Sequence, residues 1–159
     1  MSWSRPTIWY WLEVAIRRIE REIQRHLRPR EDYQLLQSIP GVGPALGATI
    51  ALETGTIERF AGPGHYASYA RCTKSEKISN GKHKGQGNRK NGNLYLAWAF
   101  MEAAHYGAIW SPPIKRYYQR KQARAHLLVA NKSVANKLAR VCFHMLKRGE
   151  AFDVTRAFG

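Results

Sequence analysis

The chain has 159 residues, 26 lysines and arginines against 11 aspartates and glutamates, and a formal net charge of +15. That length suits one domain with room for an appended helix, and a hydrophobic fraction of 44% excludes wholesale disorder. The run Leu94 to Met101 is cut by Glu102, far short of a membrane span, and Ile8 to Leu12 is too short for a signal peptide.

Ile8, Leu12, Ala15, Ile16, Ile19, Ile23 and Leu27 recur at steps of three and four, which predicts an amphipathic helix over 7–27 ended by Pro29. Glu13–Arg17 and Arg18–Glu22 are spaced to pair on its polar side. A stripe this long needs a partner surface, so residues 1–32 read as the end of a coiled-coil helix through which the chain oligomerises. Residues 33–53 read as helix, tight turn, helix, with Ile39-Pro-Gly-Val-Gly43 at the turn and Pro44 opening the second helix. A further helix is expected around His65 to Cys72. Residues 80–93 hold no apolar side chain and read as a loop. Residues 94–110 predict a buried helix with Leu94, Ala97, Trp98, Met101, Ala104, His105 and Ala108 facing inward; Tyr95, Phe100 and Trp110 also read as core. Two basic helices follow at 114–122 and 126–148, the second lined by Val134, Leu138, Val141 and Met145 and capped by Gly149. No strand set is expected, and the fold class is mainly α: a helical domain over 33–153 with a helix-hairpin-helix motif, preceded by a long helix and followed by a tail at 154–159.

Charge is unevenly placed. Residues 71–92 carry seven basic side chains and one acid, and residues 114–148 carry ten basic side chains and no acid. A solvated face mixes both signs, and an unmixed one points to a polyanion, nucleic acid first. The glycine turn at Gly41, Val42 and Gly43 can aim backbone N–H groups at a phosphate, or be a plain αα-hairpin. Lys77, Lys82, Lys84, Arg89 and Lys90, spaced by Gly and Asn, can track a nucleic-acid backbone, as can Arg116 and Arg120 around Tyr117 and Tyr118. Ser79, beside Asn80-Gly81 and among cations, is either a turn former or a phosphoryl-transfer nucleophile. The six histidines lack ligand spacing, no carboxylates group as a metal pair, and Cys72 and Cys142 suit neither a disulfide framework nor zinc, so no metal or cofactor is expected in this chain and a reducing cytoplasm is.

Ordered motifs add to this. Leu36-Gln-Ser-Ile-Pro-Gly-Val-Gly-Pro44 resembles the opening of the C-terminal transposase domain of a bacterial insertion-sequence family that also includes pilin-gene invertases. Tyr66-Ala-Ser-Tyr-Ala-Arg-Cys72, Lys77-Ile-Ser-Asn-Gly-Lys82, Gly87-Asn-Arg-Lys-Asn-Gly-Asn93, Tyr95-Leu-Ala-Trp-Ala-Phe100, Val134-Ala-Asn-Lys-Leu-Ala-Arg140 and Met145-Leu-Lys-Arg-Gly149 follow in the family's order. The resemblance implies DNA transposition or site-specific recombination guided by a structured RNA. It implies that Ser79 is the nucleophile, forming a phosphoserine bond to DNA. It also implies Mg2+ held by four acids of an N-terminal Holliday-resolvase-like domain, which lies outside these residues. The expected partners are DNA, guide RNA and that domain or a full-length transposase, in the bacterial cytoplasm at the nucleoid; no membrane partner is expected. This chain is expected to bind nucleic acid without cleaving it alone. The alternative is a non-enzymatic helix-hairpin-helix module that binds DNA or RNA. An amphipathic membrane-surface protein is a third possibility, but the apolar positions of 114–148 are needed for a core.

Overall fold

The computed structural model describes residues 8–73, 76–79, 82–86 and 91–159, and for 76–79 and 82–86 the backbone only. Within them the chain is mainly α. The elements run α1 (Ile8–Leu27), α2 (Glu31–Gln37), α3 (Pro44–Thr54), a 3₁₀ turn (Ile57–Arg59), α4 (Pro63–Tyr69), β1 (Glu76–Ser79), β2 (Lys82–Gln86), α5 (Leu94–Trp110), α6 (Pro112–Gln122), α7 (Leu127–Arg148) and α8 (Val154–Phe158). No helix among the described residues is long and apolar enough to cross a membrane.

Helix boundaries follow local chemistry. Prolines open α3, α4 and α6, where the missing N–H would have no intrahelical partner. Asn93 caps α5 by accepting the Leu96 N–H, and Asp153 caps α8 by accepting those of Thr155 and Arg156. Gly149 ends α7 in the left-handed conformation, φ 68°.

The core lies where α5 and α7 meet, covered by α3, α4 and α6. Leu36, Ile50, Tyr66, Leu96, Phe100, Ile114, Val134, Leu138 and Cys142 are fully buried. Tyr66 stands at the centre. Its ring meets Phe60 and Phe100 edge-on at 5.0 and 5.9 Å, and its hydroxyl pairs with Thr54 Oγ1 at 2.7 Å, so its polar end is satisfied. Val134, Leu138 and Met145 of α7 face inward as expected, with Val141 half-buried.

Two readings need correction. The inner face of α5 is Leu96, Ala99, Phe100, Ala103, Ala104 and Gly107; Tyr95, Trp98, His105 and Trp110 are exposed, and Leu94 is 63% exposed. Of the positions expected in the core, Phe100 and Ala104 are buried, while Ala97, Met101 and Ala108 are half-buried. Apart from Glu102 and His105 the helix is apolar or aromatic all round, so hydropathy gives little choice of face. Side-chain size does: Ala99, Ala103 and Gly107 let neighbouring backbones come close, which a tryptophan would prevent.

The second correction concerns the polar segment after α4. Part of it forms an antiparallel hairpin, with Glu76 opposite Gln86, Ile78 opposite His83 and Ser79 opposite Lys82, and a register irregularity between Glu76 and Ile78. A strand pair is held by its backbone ladder and can form without entering a core. The Asn80-Gly81 dipeptide between the strands is a strong short-range hairpin signal.

The α1 stripe is unpartnered along most of its length. Only Leu27 is buried and Ile23 half-buried, packing with Tyr33 and Ala48, while Ile8, Leu12, Ile16 and Ile19 are exposed. On its polar side Arg17 pairs with Glu13, and Glu22 meets Arg25 at 3.9 Å rather than Arg18.

Candidate nucleic-acid interface

The glycine turn joins α2 to α3 and is pinned from below. Gly41 has φ +91°, and a Cβ there would collide with the Gly107 amide nitrogen and lie 2.8 Å from the Ala103 carbonyl oxygen. No other residue type fits both the conformation and the approach to α5. Val42 is buried and donates its N–H to the Ile39 carbonyl at 3.0 Å. Gly43, Pro44 and Ala45 are exposed, and Gly43, the N-cap of α3, has open space around its Cα. The outward edge of this turn is therefore Gly43 to Ala45. Tyr106 and Trp110 of α5 flank it across an open groove.

Ser79 is the last residue of β1, at the reversal of the hairpin, and Lys77 is on the same strand. Lys82 and Lys84 are on β2. Arg89 and Lys90 lie outside the described residues.

The two ends of this excursion are fastened to one place. On the way out, the Cys72 N–H donates to the Ala67 carbonyl, and the Cys72 carbonyl accepts from Asn136 Nδ2 of α7 at 3.2 Å. On the way back, the Asn93 N–H donates to the Tyr69 carbonyl at 2.7 Å. Asn93 also caps α5 and donates from Nδ2 to Glu53 Oε2 of α3 at 2.6 Å. Hydrogen bonds from Asn93 and Arg59 hold the Tyr69 phenol below its ordinary pKa. The Arg59 guanidinium lies over the rings of Phe60 and Tyr69 at 4.6 and 4.7 Å.

The third basic region is the α6–α7 hairpin. Arg116 and Arg120 are exposed on α6, Tyr117 and Tyr118 are half-buried, and Arg120 lies 5.8 Å from the Tyr117 ring. Lys121 and Lys137 gather on the same ring. Sequence reasoning passed over both, although the i, i+4 step from Tyr117 to Lys121 was readable. The approach of Lys137 follows only from how α7 folds back on α6.

Among the described residues no three His, Cys, Asp or Glu side chains come together as a metal site. Cys72 and Cys142 are buried free thiols, and burial pushes each up to about 12, so neither is a nucleophile near neutral pH.

Residues 33–119 match the model of the Transposase IS116/IS110/IS902 family, more than half of the chain. The chain belongs to this family. Among curated relatives of this chain, an uncharacterized 44.8 kDa protein of insertion element IS116 from Streptomyces clavuligerus is 28% identical over 143 residues, covering 89% of this chain and 36% of that protein. A probable family 20 transposase from Pseudomonas aeruginosa is 26% identical over 141 residues, 86% of this chain and 42% of its own length. The transposase of insertion sequence IS1328 from Yersinia enterocolitica is 26% identical over 145 residues, 87% and 42% respectively. The chain thus spans well under half the length of these relatives.

Proposed function

We propose that this chain is the nucleic-acid-handling, serine-bearing part of an insertion-sequence transposase, acting in DNA transposition or site-specific recombination. The observation that carries this is the family match over residues 33–119, which encloses the hairpin whose first strand ends at Ser79. In this reading the Ser79 hydroxyl attacks a scissile phosphodiester. A P–Oγ bond forms as the P–O bond to the leaving sugar breaks; the serine proton goes to a base and the leaving oxygen takes up a proton. The cations of residues 71–92 offset charge on the phosphorane. In this reading Mg2+ is held by the acidic N-terminal domain that the family resemblance implies. A structured guide RNA selects the DNA, the exposed edge Gly43–Ala45 and the two basic regions contact backbone phosphates, and α1 joins copies as a coiled coil. The chain works at the bacterial nucleoid and binds without cutting when alone.

The test mixes the chain with its element's end DNA, guide RNA and a full-length partner mutated at its own equivalent serine. A covalent protein–DNA adduct on denaturing gels, lost in Ser79→Ala, is the expected result. Salt-dependent binding with no adduct would leave a non-enzymatic binding module. Strand cleavage by the 159-residue chain alone would overturn the dependence on a partner.

A further inference from the structure

Three cations converge on one ring. Lys137 Nζ lies 4.6 Å from the centre of the Tyr117 ring, Lys121 Nζ 5.3 Å, and the Arg120 guanidinium carbon 5.8 Å. Lys137 Nζ is also 5.0 Å from the Phe158 ring of α8, which meets Tyr117 edge-on at 5.4 Å. No carboxylate among the described residues pairs with any of the three. The far end of α7 differs: there Lys147 pairs with Glu58 at 3.8 Å and Arg148 with Glu150 at 4.0 Å. The protein thus neutralises its cations at the C-terminal end of α7 and leaves Lys137, midway along that helix, with Arg120 and Lys121 of α6, without a carboxylate partner among the described residues.

Like charges gathered without a counterion repel one another, and ring contacts relieve only part of that. Burial and the charges of Arg120 and Lys121 together hold the Lys137 ammonium below its ordinary pKa. An anion seated among them would relieve this repulsion. The rings fix Lys137 in place, so little side-chain freedom remains to be lost when one arrives. Arg116 lies one turn before Arg120, roughly 6 Å along α6, so a second anionic group beside the first would also be met. A row of anions at short repeat is the signature of a nucleic-acid strand.

We infer that Arg120, Lys121 and Lys137, ordered around Tyr117, form a clamp for adjacent backbone phosphates of a nucleic acid on the α6–α7 hairpin. This rests on the reading of the chain as a nucleic-acid-handling domain but not on Ser79 chemistry, so a missing covalent adduct leaves it standing. The clamp takes phosphodiesters of DNA or RNA and reads no bases.

The test measures binding of the whole chain to a fluorescent DNA duplex, an RNA hairpin and phosphatidylserine vesicles across a salt series. Lys137→Gln and Arg120→Gln should each lower affinity for nucleic acid severalfold at low salt and reduce the slope of log affinity against log salt by about 1. Arg17→Gln, which removes a cation paired with Glu13 outside both basic regions, should leave the slope unchanged. Tyr117→Phe keeps the ring and should bind like the parent. The 13Cε titration of Lys137 should move to higher pH when the preferred oligonucleotide is bound; DNA or RNA is identified by which one moves it. Equal slopes for the parent and the Arg120→Gln/Lys121→Gln/Lys137→Gln triple variant, shown to be folded by circular dichroism, would overturn the proposal. So would an unmoved Lys137 titration under saturating oligonucleotide, or binding that is lost from vesicles and not from nucleic acid.

Discussion

Gly41 and Gly43 lie two residues apart and do different work. Gly41 is held at φ +91° with the α5 backbone against it, so Gly41→Ala must both strain the turn and push α5 away. The expected loss is more than about 3 kcal/mol, read as a fall in the urea midpoint. Gly43 has φ −86° and open space, so Gly43→Ala should cost less than about 1 kcal/mol. Asn93 is the other residue on which local structure turns, because it joins α3, α4 and the start of α5. Asn93→Ala removes a cap and a part-buried hydrogen bond and should destabilise by roughly 1–3 kcal/mol. Asn93→Asp keeps the cap oxygen but sets a carboxylate against Glu53; its deficit should shrink as pH falls and the carboxylates protonate, where that of Asn93→Ala stays.

Whole helices were largely legible in the chain. The α1 period, the Pro44 and Gly149 boundaries and the inner stripe of α7 rest on local chemistry that the residues state outright. The orientation of α5 was not legible, since a helix apolar or aromatic nearly all round carries little directional signal and shape decides which side is covered. The hairpin was passed over because its segment has no alternating apolar pattern, although Asn80-Gly81 marked the reversal. For the candidate site, the basic stretches could be read from residue type and Ser79 was singled out as nucleophile rather than turn former only by the family resemblance, while Lys137 beside Tyr117 depends on contact between two helices. The exposed part of α1 gives a prediction at this scale. Ile16→Asp and Ile19→Asp should leave the thermal midpoint of the dilute chain within about 2–3 °C, since neither side chain enters the core. Leu27→Ala, in the small cluster with Tyr33 and Ala48, should cost about 2–4 kcal/mol. An equal loss from Ile16→Asp would show that α1 is already covered in solution.

At the scale of the molecule, the core holds its ionisable groups neutral. The thiols of Cys72 and Cys142 are raised to about 12 by burial, and burial raises the Tyr66 phenol as well. The folded state therefore keeps protons that the unfolded chain releases above about pH 8.5. Stability should hold below that and fall as pH climbs towards 12, which urea unfolding at a series of pH values would show. At pH 8 a thiol reagent should modify either cysteine only as fast as the chain opens. The fastening of residues 73–92 has a different kind of consequence. Cys72 and Asn93 depart from and return to the last turn of α4, so the two ends of the stretch between them are held side by side. It is a cassette on a fixed socket. Its length and sequence can drift between relatives at only the slow cost of a longer closed loop, and chimaeras that exchange it should inherit the scaffold's stability from one parent and the hairpin from the other.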